Sequence, residues 1–257
     1  MGKNVILMNV EKTYNYLWKQ HMMARRIVIS RYGDGEYLIM LGSKKDVATH
    51  KSSEKLTELM NRSIKRKGQL ICMPTTSIES DGVRGNAANY FLENSDHSRF
   101  GTGIWRLYDV QHDFNLLTEF FIDKTLIVTG NHVECKRAFK SNSIDVDILE
   151  GRKINAFLDY EKLKKNLIRI ARGYDNIIFA LGPTSNILIA DLVGVCKSNL
   201  IDIGGFIGPI INPYSKDENL VKKWTGIPRR SNKETMKRYS KRFFKKLQDK
   251  IELYSLL

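Results

Sequence analysis

The chain has 257 residues, with 42 Lys and Arg against 28 Asp and Glu, for a formal net charge of +14. Hydrophobic residues make up 42%, and there are 18 Gly and 5 Pro, which excludes wholesale disorder and a fibrous or low-complexity chain. Three widely spaced cysteines, Cys72, Cys135 and Cys196, give neither a disulfide framework nor a cysteine-type zinc site. They are expected as reduced, mostly buried thiols of a cytoplasmic protein.

The first residues carry too short an apolar run for a secretory signal. Residues 9–22 read as a helix, with Val10, Tyr14, Leu17, Trp18 and His21 on one side. Residues 26–30 are a short β-branched strand that runs into Arg31-Tyr32-Gly33-Asp34-Gly35-Glu36. Residues 53–66 are helical by spacing, 69–73 form a strand stopped by Pro74, and 75–85 read as a loop. A helix is expected over 109–122, a strand over 125–129, a helix over 132–140 and an alternating strand over 144–148. A helix over 160–172 and a buried strand over 176–181 follow. Gly182-Pro183-Thr184 opens a helix to about 193, and a last strand spans 200–203. The uncharged stretch 176–190 is broken by Gly182-Pro183 and falls short of the roughly 18 apolar residues of a membrane helix.

Short apolar strands alternating with helices predict an α/β fold, a mainly parallel sheet covered on both faces. In such sheets ligands bind beyond the carboxyl ends of the strands, which directs attention to 31–36, 74–85, 130–134, 182–185 and 204–214. Residues 231–257 predict a long C-terminal helix. Its apolar stripe is Met236, Tyr239, Phe243, Leu247, Ile251 and Tyr254, and its opposite face is basic. Residues 221–250 hold 12 Lys and Arg against 2 Asp and Glu, so most of the net charge is terminal. The helix either packs on the domain with a solvated basic back or meets an anionic membrane.

Asp34-Gly35-Glu36 carries the strongest chemical signal. In extended chain, residues i and i+2 point the same way, so two carboxylates would face one spot suited to a hard divalent cation. The competing reading is a turn in which Asp34 caps a helix and Glu36 lies in its first turn. Leu181-Gly182-Pro183-Thr184-Ser185 offers a helix start that either binds a phosphate or is only a cap. Asp202, ahead of Gly204-Gly205, is a candidate for a sugar or ribose hydroxyl, or else a turn acid. Glu79, Asp81, His132 and Glu134 follow strands, as general bases or as surface residues. Trp105-Arg106 reads as a substrate clamp or as a core Trp beside a surface Arg.

Ser30-Arg31-Tyr32-Gly33-Asp34-Gly35-Glu36 resembles the Arg-Phe-Gly-Asp-Gly-Glu signature of the GT-D-type glycosyltransferases of bacterial surface polysaccharides and glycoproteins. Leu181-Gly182-Pro183-Thr184, Asp191-Leu192 and Ile201-Asp202-Ile203-Gly204 resemble that family's second block. The resemblance implies a single Rossmann-like domain, here 1–215, followed by a basic helical extension over 216–257. It implies a hexosyl-transferring enzyme with a nucleotide-sugar donor, usually a UDP-sugar, and a divalent metal (Mn or Mg) on Asp34 and Glu36. Arg31, Gly33, Gly182, Thr184, Ser185 and Asp202 would bind the donor, and Glu79 and Glu134 are the further catalytic candidates. The acceptor would be a glycan or a lipid-linked saccharide, with no nucleic acid as partner. Peripheral attachment to the inner face of the plasma membrane would come through the basic helix. Two departures stand out: Gly205 follows Asp-Ile-Gly where relatives often carry His, and residues 131–137 replace an Arg- and Gly-rich segment. The rival reading is a metal-dependent nucleic-acid-binding protein or nuclease using the same carboxylates and the basic tail.

Overall fold

The computed structural model describes residues 5–43, 50–74, 82–103, 105–211 and 232–256. Eight strands form one sheet: β1 (Ile6–Leu7), β2 (Val28–Arg31), β3 (Leu70–Met73), β4 (Arg99–Thr102), β5 (Thr125–Thr129), β6 (Asp147–Glu150), β7 (Asn176–Ala180) and β8 (Asn199–Asp202). Their order is β1-β4-β3-β2-β8-β7-β5-β6, and every pairing is parallel. The central strands are buried on both faces, which is why Leu70–Met73, Thr125–Thr129 and Asn176–Ala180 read as continuous apolar runs.

The helices are α1 (Val10–Met22), α2 (Asp34–Met40), α3 (Glu54–Ser63), α4 (Val83–Asn94), α5 (Trp105–Gln111), α6 (Asn115–Glu119), α7 (His132–Ser141), α8 (Tyr160–Ile170), α9 (Pro183–Leu192), α10 (Ile207–Ile211) and α11 (Asn232–Ser255). Side-chain oxygens of Asn9 and Ser53 cap α1 and α3 by accepting from Lys12 N and Leu56 N. One face of the sheet is covered by α2, α3, α4, α8 and α9, around Ile39, Leu56, Phe91, Leu163 and Ile187. The other is covered by α1, α5, α6, α7, α10 and α11, around Leu17, Trp105, Leu117, Phe139, Ile207 and Phe243.

Several expectations are corrected. The expected 109–122 helix is two helices, α5 and α6, broken where Asp113 and Phe114 take φ of +62° and +58°. The buried Asp109 carboxylate causes the break: it accepts from Leu116 N at 2.8 Å and Leu117 N at 2.9 Å and so starts the second helix. Residues 83–85, expected in a loop, begin α4, and the expected strand over 144–148 is displaced to Asp147–Glu150. Strands β1 and β4 were not expected at all.

The apolar stripe of α11 meets the domain. Phe243 and Leu247 are fully buried, Phe244 nearly so, and Phe243 packs edge-on against Phe114 and Phe121. Each such side chain contributes about 1.5–3 kcal/mol of burial. Arg242 pairs with Asp113 at 2.6 Å, and Lys250 pairs with Glu119. Met236 lies outside the described side chains, and Tyr254 is exposed. No helix among the described residues is long and apolar enough to cross a membrane.

Candidate functional site

Neighbouring strands β2 and β8 send their chains to opposite faces of the sheet. After β2 the chain enters α2, whose Ile39 and Met40 join one core; after β8 it enters α10, whose Ile207 and Ile211 join the other. Diverging connections open a crevice at the carboxyl ends, where α/β sheets take their ligands. Arg31 ends β2 and Asp202 ends β8.

Asp202 is 2% exposed, and both of its oxygens are engaged. Oδ2 accepts from Arg31 N at 3.2 Å, and Oδ1 from Gly204 N at 2.8 Å. It is therefore a turn acid that fixes two strand ends. Burial pushes its carboxyl up, while the positive charges of Arg31 and Arg106 pull it down. Gly204 has φ of +52°, and the Arg31 guanidinium occupies the space a Cβ would need there, so a residue without a side chain is required. The same side chain passes Gly103, whose Cβ position lies 3.1 Å from Arg31 Nε.

Arg106, expected at the surface, is 2% exposed. Its Nε donates to Gly103 O at 3.0 Å and its Nη1 to Ile203 O, tying the end of β4 to the end of β8. Burial lowers its pKa well below the usual guanidinium range, and the charge of Arg31 adds to this. Two guanidinium groups thus share one crevice with the carboxylates of Asp202 and Glu36. Trp105 is in the core, as one of the two readings had it.

Asp34, Gly35 and Glu36 are not extended. They form the first turn of α2, so the expectation that both carboxylates point the same way along a strand is corrected. Successive helical residues turn by about 100°, which sends positions i and i+2 to different sides. Glu36 reaches back to the helix start, its Oε2 accepting from Gly33 N at 2.9 Å, and a Cβ on Gly33 would collide with that oxygen. Burial raises the Glu36 pKa and the Arg31 charge lowers it. Asp34 is exposed, its Oδ1 accepting from Gly35 N at 3.2 Å.

Helix α9 starts beside β2. Gly182 takes φ of +57°, Pro183 occupies the first turn, and Thr184, Ser185 and Asn186 are fully buried. Ser185 Oγ accepts from Leu181 N at 2.9 Å, and Asn186 Nδ2 donates to Arg31 O at 2.8 Å. His50, buried against this junction, lies 2.9 Å from the Cβ position of Gly182. Burial lowers its pKa, so it is held as a neutral imidazole. Arg31 Nε, Thr184 Oγ1 and Asn186 Oδ1 are buried without a hydrogen-bond partner among the described residues. Such groups are rare in folded proteins, and a water, an ion or a polar ligand can complete their bonding.

The structure thus brings together Arg31, Gly33, Glu36, Thr184, Ser185 and Asp202, with Arg106, which the sequence offered as half of a substrate clamp, and adds Asn186 and His50, which sequence reading did not select. Glu134 starts α7 after β5, two strands from β8 and so roughly 10 Å away at the usual spacing. His132 is with it, 3.4 Å from Glu150. Glu79 and Asp81 lie outside the described residues. All three cysteines are free and buried, and burial pushes the Cys72 thiol up to about 12, which rules it out as a nucleophile.

No family model matches this chain, and no curated protein does. Two solved structures share its architecture, each with a TM-score of 0.57 and 22% identity over 79% of both chains. Both are of domain of unknown function 1792, one described as having a distinct glycosyltransferase fold and the other a selenomethionine-substituted form. The fold of this chain is glycosyltransferase-like. Its eight parallel strands and two helical layers match the expected Rossmann-like architecture.

Proposed function

We propose that this chain is a glycosyltransferase that moves a sugar from a nucleotide-sugar donor, a UDP-sugar by resemblance, to a glycan or lipid-linked acceptor. The observation that carries the reading is the crevice between β2 and β8. There the Arg31 and Arg106 guanidinium groups and the start of α9 lie around unpaired polar atoms. A nucleoside diphosphate leaving group is an anion that such donors would bind.

Each part of the crevice has a task in the reaction. Arg31, held through its backbone by Asp202 and Asn186, meets the diphosphate with a donor still unpaired at Nε. The Thr184 hydroxyl and the first free N–H groups of α9 meet the same phosphates, and the helix dipole favours their charge. Gly33, Gly182 and Ser185 shape the two chain turns beside them. These donors are fixed before substrate arrives, so charge building on the leaving oxygen is stabilised without rearrangement.

Asp34 and Glu36 are the carboxylates that would hold a divalent cation, manganese or magnesium. The helical turn sends them to different sides, so each would act as a separate ligand and not as a pair, with the one oxygen that accepts no backbone N–H. No group of three or more metal-binding side chains occurs among the described residues, so a cation here would draw its other ligands from phosphate and water. When bound, it would supply Lewis-acid neutralisation of the departing diphosphate.

The test is a donor screen: purified protein, a panel of nucleotide sugars with manganese, and detection of released nucleotide. Release from one donor class, abolished by chelator, supports the reading; cleavage of DNA or RNA with no release from any nucleotide sugar would replace it with a nuclease.

A further inference from the structure

We propose that the outer face formed by α7 and α11 is an electrostatic docking surface for an anionic lipid bilayer. This proposal is independent of the donor site, which lies at the carboxyl ends of the strands.

The two helices lie in the same layer and touch: Phe139 packs on Phe244 with ring centres 5.3 Å apart, and Gln248 Nε2 donates to Asn142 O at 2.8 Å. Together α7 and α11 contain eleven Lys and Arg against four Asp and Glu. Part of that charge is internal. Arg242 and Lys246 face Asp113, and Lys250 faces Glu119. The rest points away from the core, with Lys136, Arg137 and Lys140 on α7 and Arg238, Lys241 and Lys245 on α11 all exposed. The acids Asp249 and Glu252 sit beyond them, toward the end of α11. In the opposite layer, α2, α3, α4, α8 and α9 balance seven Lys and Arg with seven Asp and Glu. The molecule therefore has an electrically polarised pair of faces.

The choice of partner follows from how this charge is laid out. The apolar stripe of α11 is spent on the core, so the helix does not insert in a bilayer lengthwise. What remains is a field of cations spread over the backs of two adjacent helices, which suits a planar anionic surface better than a groove-shaped duplex. Exposed Leu253 in the last turn of α11 and Leu256 just after it add an apolar tip to the charged helix, a pairing that favours a headgroup boundary. Basic residues act only within a Debye length of the lipid, about 8 Å at physiological salt, so side chains on one exposed face act together and those on the opposite layer do not.

The experiment is co-sedimentation of the full chain with vesicles of phosphatidylcholine mixed with phosphatidylglycerol, against phosphatidylcholine alone. Binding is expected only to the mixed vesicles, weakening steeply with added salt. A variant carrying Lys136→Glu, Lys140→Glu, Lys241→Glu and Lys245→Glu should bind at least about tenfold more weakly, given the usual contribution of a basic residue near a charged surface. A control carrying Lys162→Glu and Lys165→Glu, exposed on α8 in the opposite layer, should bind as the wild type does. All six side chains are exposed, so neither variant disturbs the core. Equal binding to neutral vesicles, equal loss in the control, or tighter binding to duplex DNA than to mixed vesicles at the same salt would overturn the proposal.

Discussion

The carboxylate of Asp202 accepts the backbone N–H of Arg31 at 3.2 Å across 171 residues of chain. That bond joins the ends of two adjacent strands at the point where their connections part, and it sets the position of the Arg31 backbone. The other Asp202 oxygen holds the Gly204 turn. Asp202→Ala would leave two buried N–H groups without an acceptor and two guanidinium groups without their nearest fully buried counter-charge. Such a change costs about 3–5 kcal/mol. Urea unfolding should show this loss, with a smaller loss in Asp202→Asn, which keeps one acceptor. Equal stability of Asp202→Ala and wild type would show that the carboxylate holds nothing.

Gly204→Ala tests the fit between the β8 turn and the Arg31 side chain. The backbone there is left-handed and the methyl would land on the guanidinium. A strained φ alone costs on the order of 1 kcal/mol. The larger effect is expected on function: Arg31 must move, so nucleoside diphosphate affinity should fall by about tenfold or more, read by calorimetry. Unchanged affinity would mean that the Arg31 side chain does not contact the nucleotide.

Much of the fold is legible because buried parallel strands are apolar on both faces. Thr125–Thr129 is found with its exact bounds for that reason. Strand β4, Arg-Phe-Gly-Thr, has no β-branched run, and β1 has two residues, so neither stands out from local pattern. The split between α5 and α6 depends on a carboxylate seven and eight residues before the N–H groups it caps, which helical periodicity does not register. The same division holds at the site. Asp34-Gly35-Glu36 and Gly182-Pro183-Thr184 are local motifs and are visible, and of the two backbones open to the first it is the helix start, with Glu36 in the first turn, that the chain adopts. Arg106 and His50 gain their positions only when the chain after β4 reaches Ile203 after β8 and when residue 50 folds over Gly182, so nothing adjacent in sequence fixes them.

Asp109 gives a pH signature. Burial raises its pKa from 3.8 to about 6, against the pull of the Leu116 and Leu117 N–H groups, Lys250 and the hydroxyl of Tyr14. Because the folded value lies above the unfolded one, the folded state binds the extra proton between them. The stabilisation is complete below the unfolded pKa and is lost as pH rises through about 6. A shift of that size corresponds to roughly 3 kcal/mol at most. Asp109→Asn should flatten this component of the stability-versus-pH curve between about pH 4 and pH 7. An unaltered slope in the variant would place the Asp109 proton elsewhere.

Asp34→Ala and Glu36→Ala separate chemistry from folding. Asp34 is exposed at the first position of α2, so its loss should leave the unfolding midpoint nearly unchanged. Glu36 also bonds to Gly33 N, and its loss should cost about 1 kcal/mol through the cap. Both variants should lose nucleotide release by at least about a hundredfold, as expected when a metal ligand is removed from a leaving-group site. Full activity of both, or wild-type turnover in excess chelator, would remove the cation from the account.

The most direct test of the central claim is a crystal structure of the protein with a nucleoside diphosphate and manganese. The diphosphate is expected in the crevice between β2 and β8, within hydrogen-bond reach of Arg31 and Thr184, with manganese against Asp34 or Glu36. A nucleotide bound instead at the amino ends of the strands, in the cavity of about 1020 Å³ lined by Arg26, Arg172 and Lys197, would contradict it.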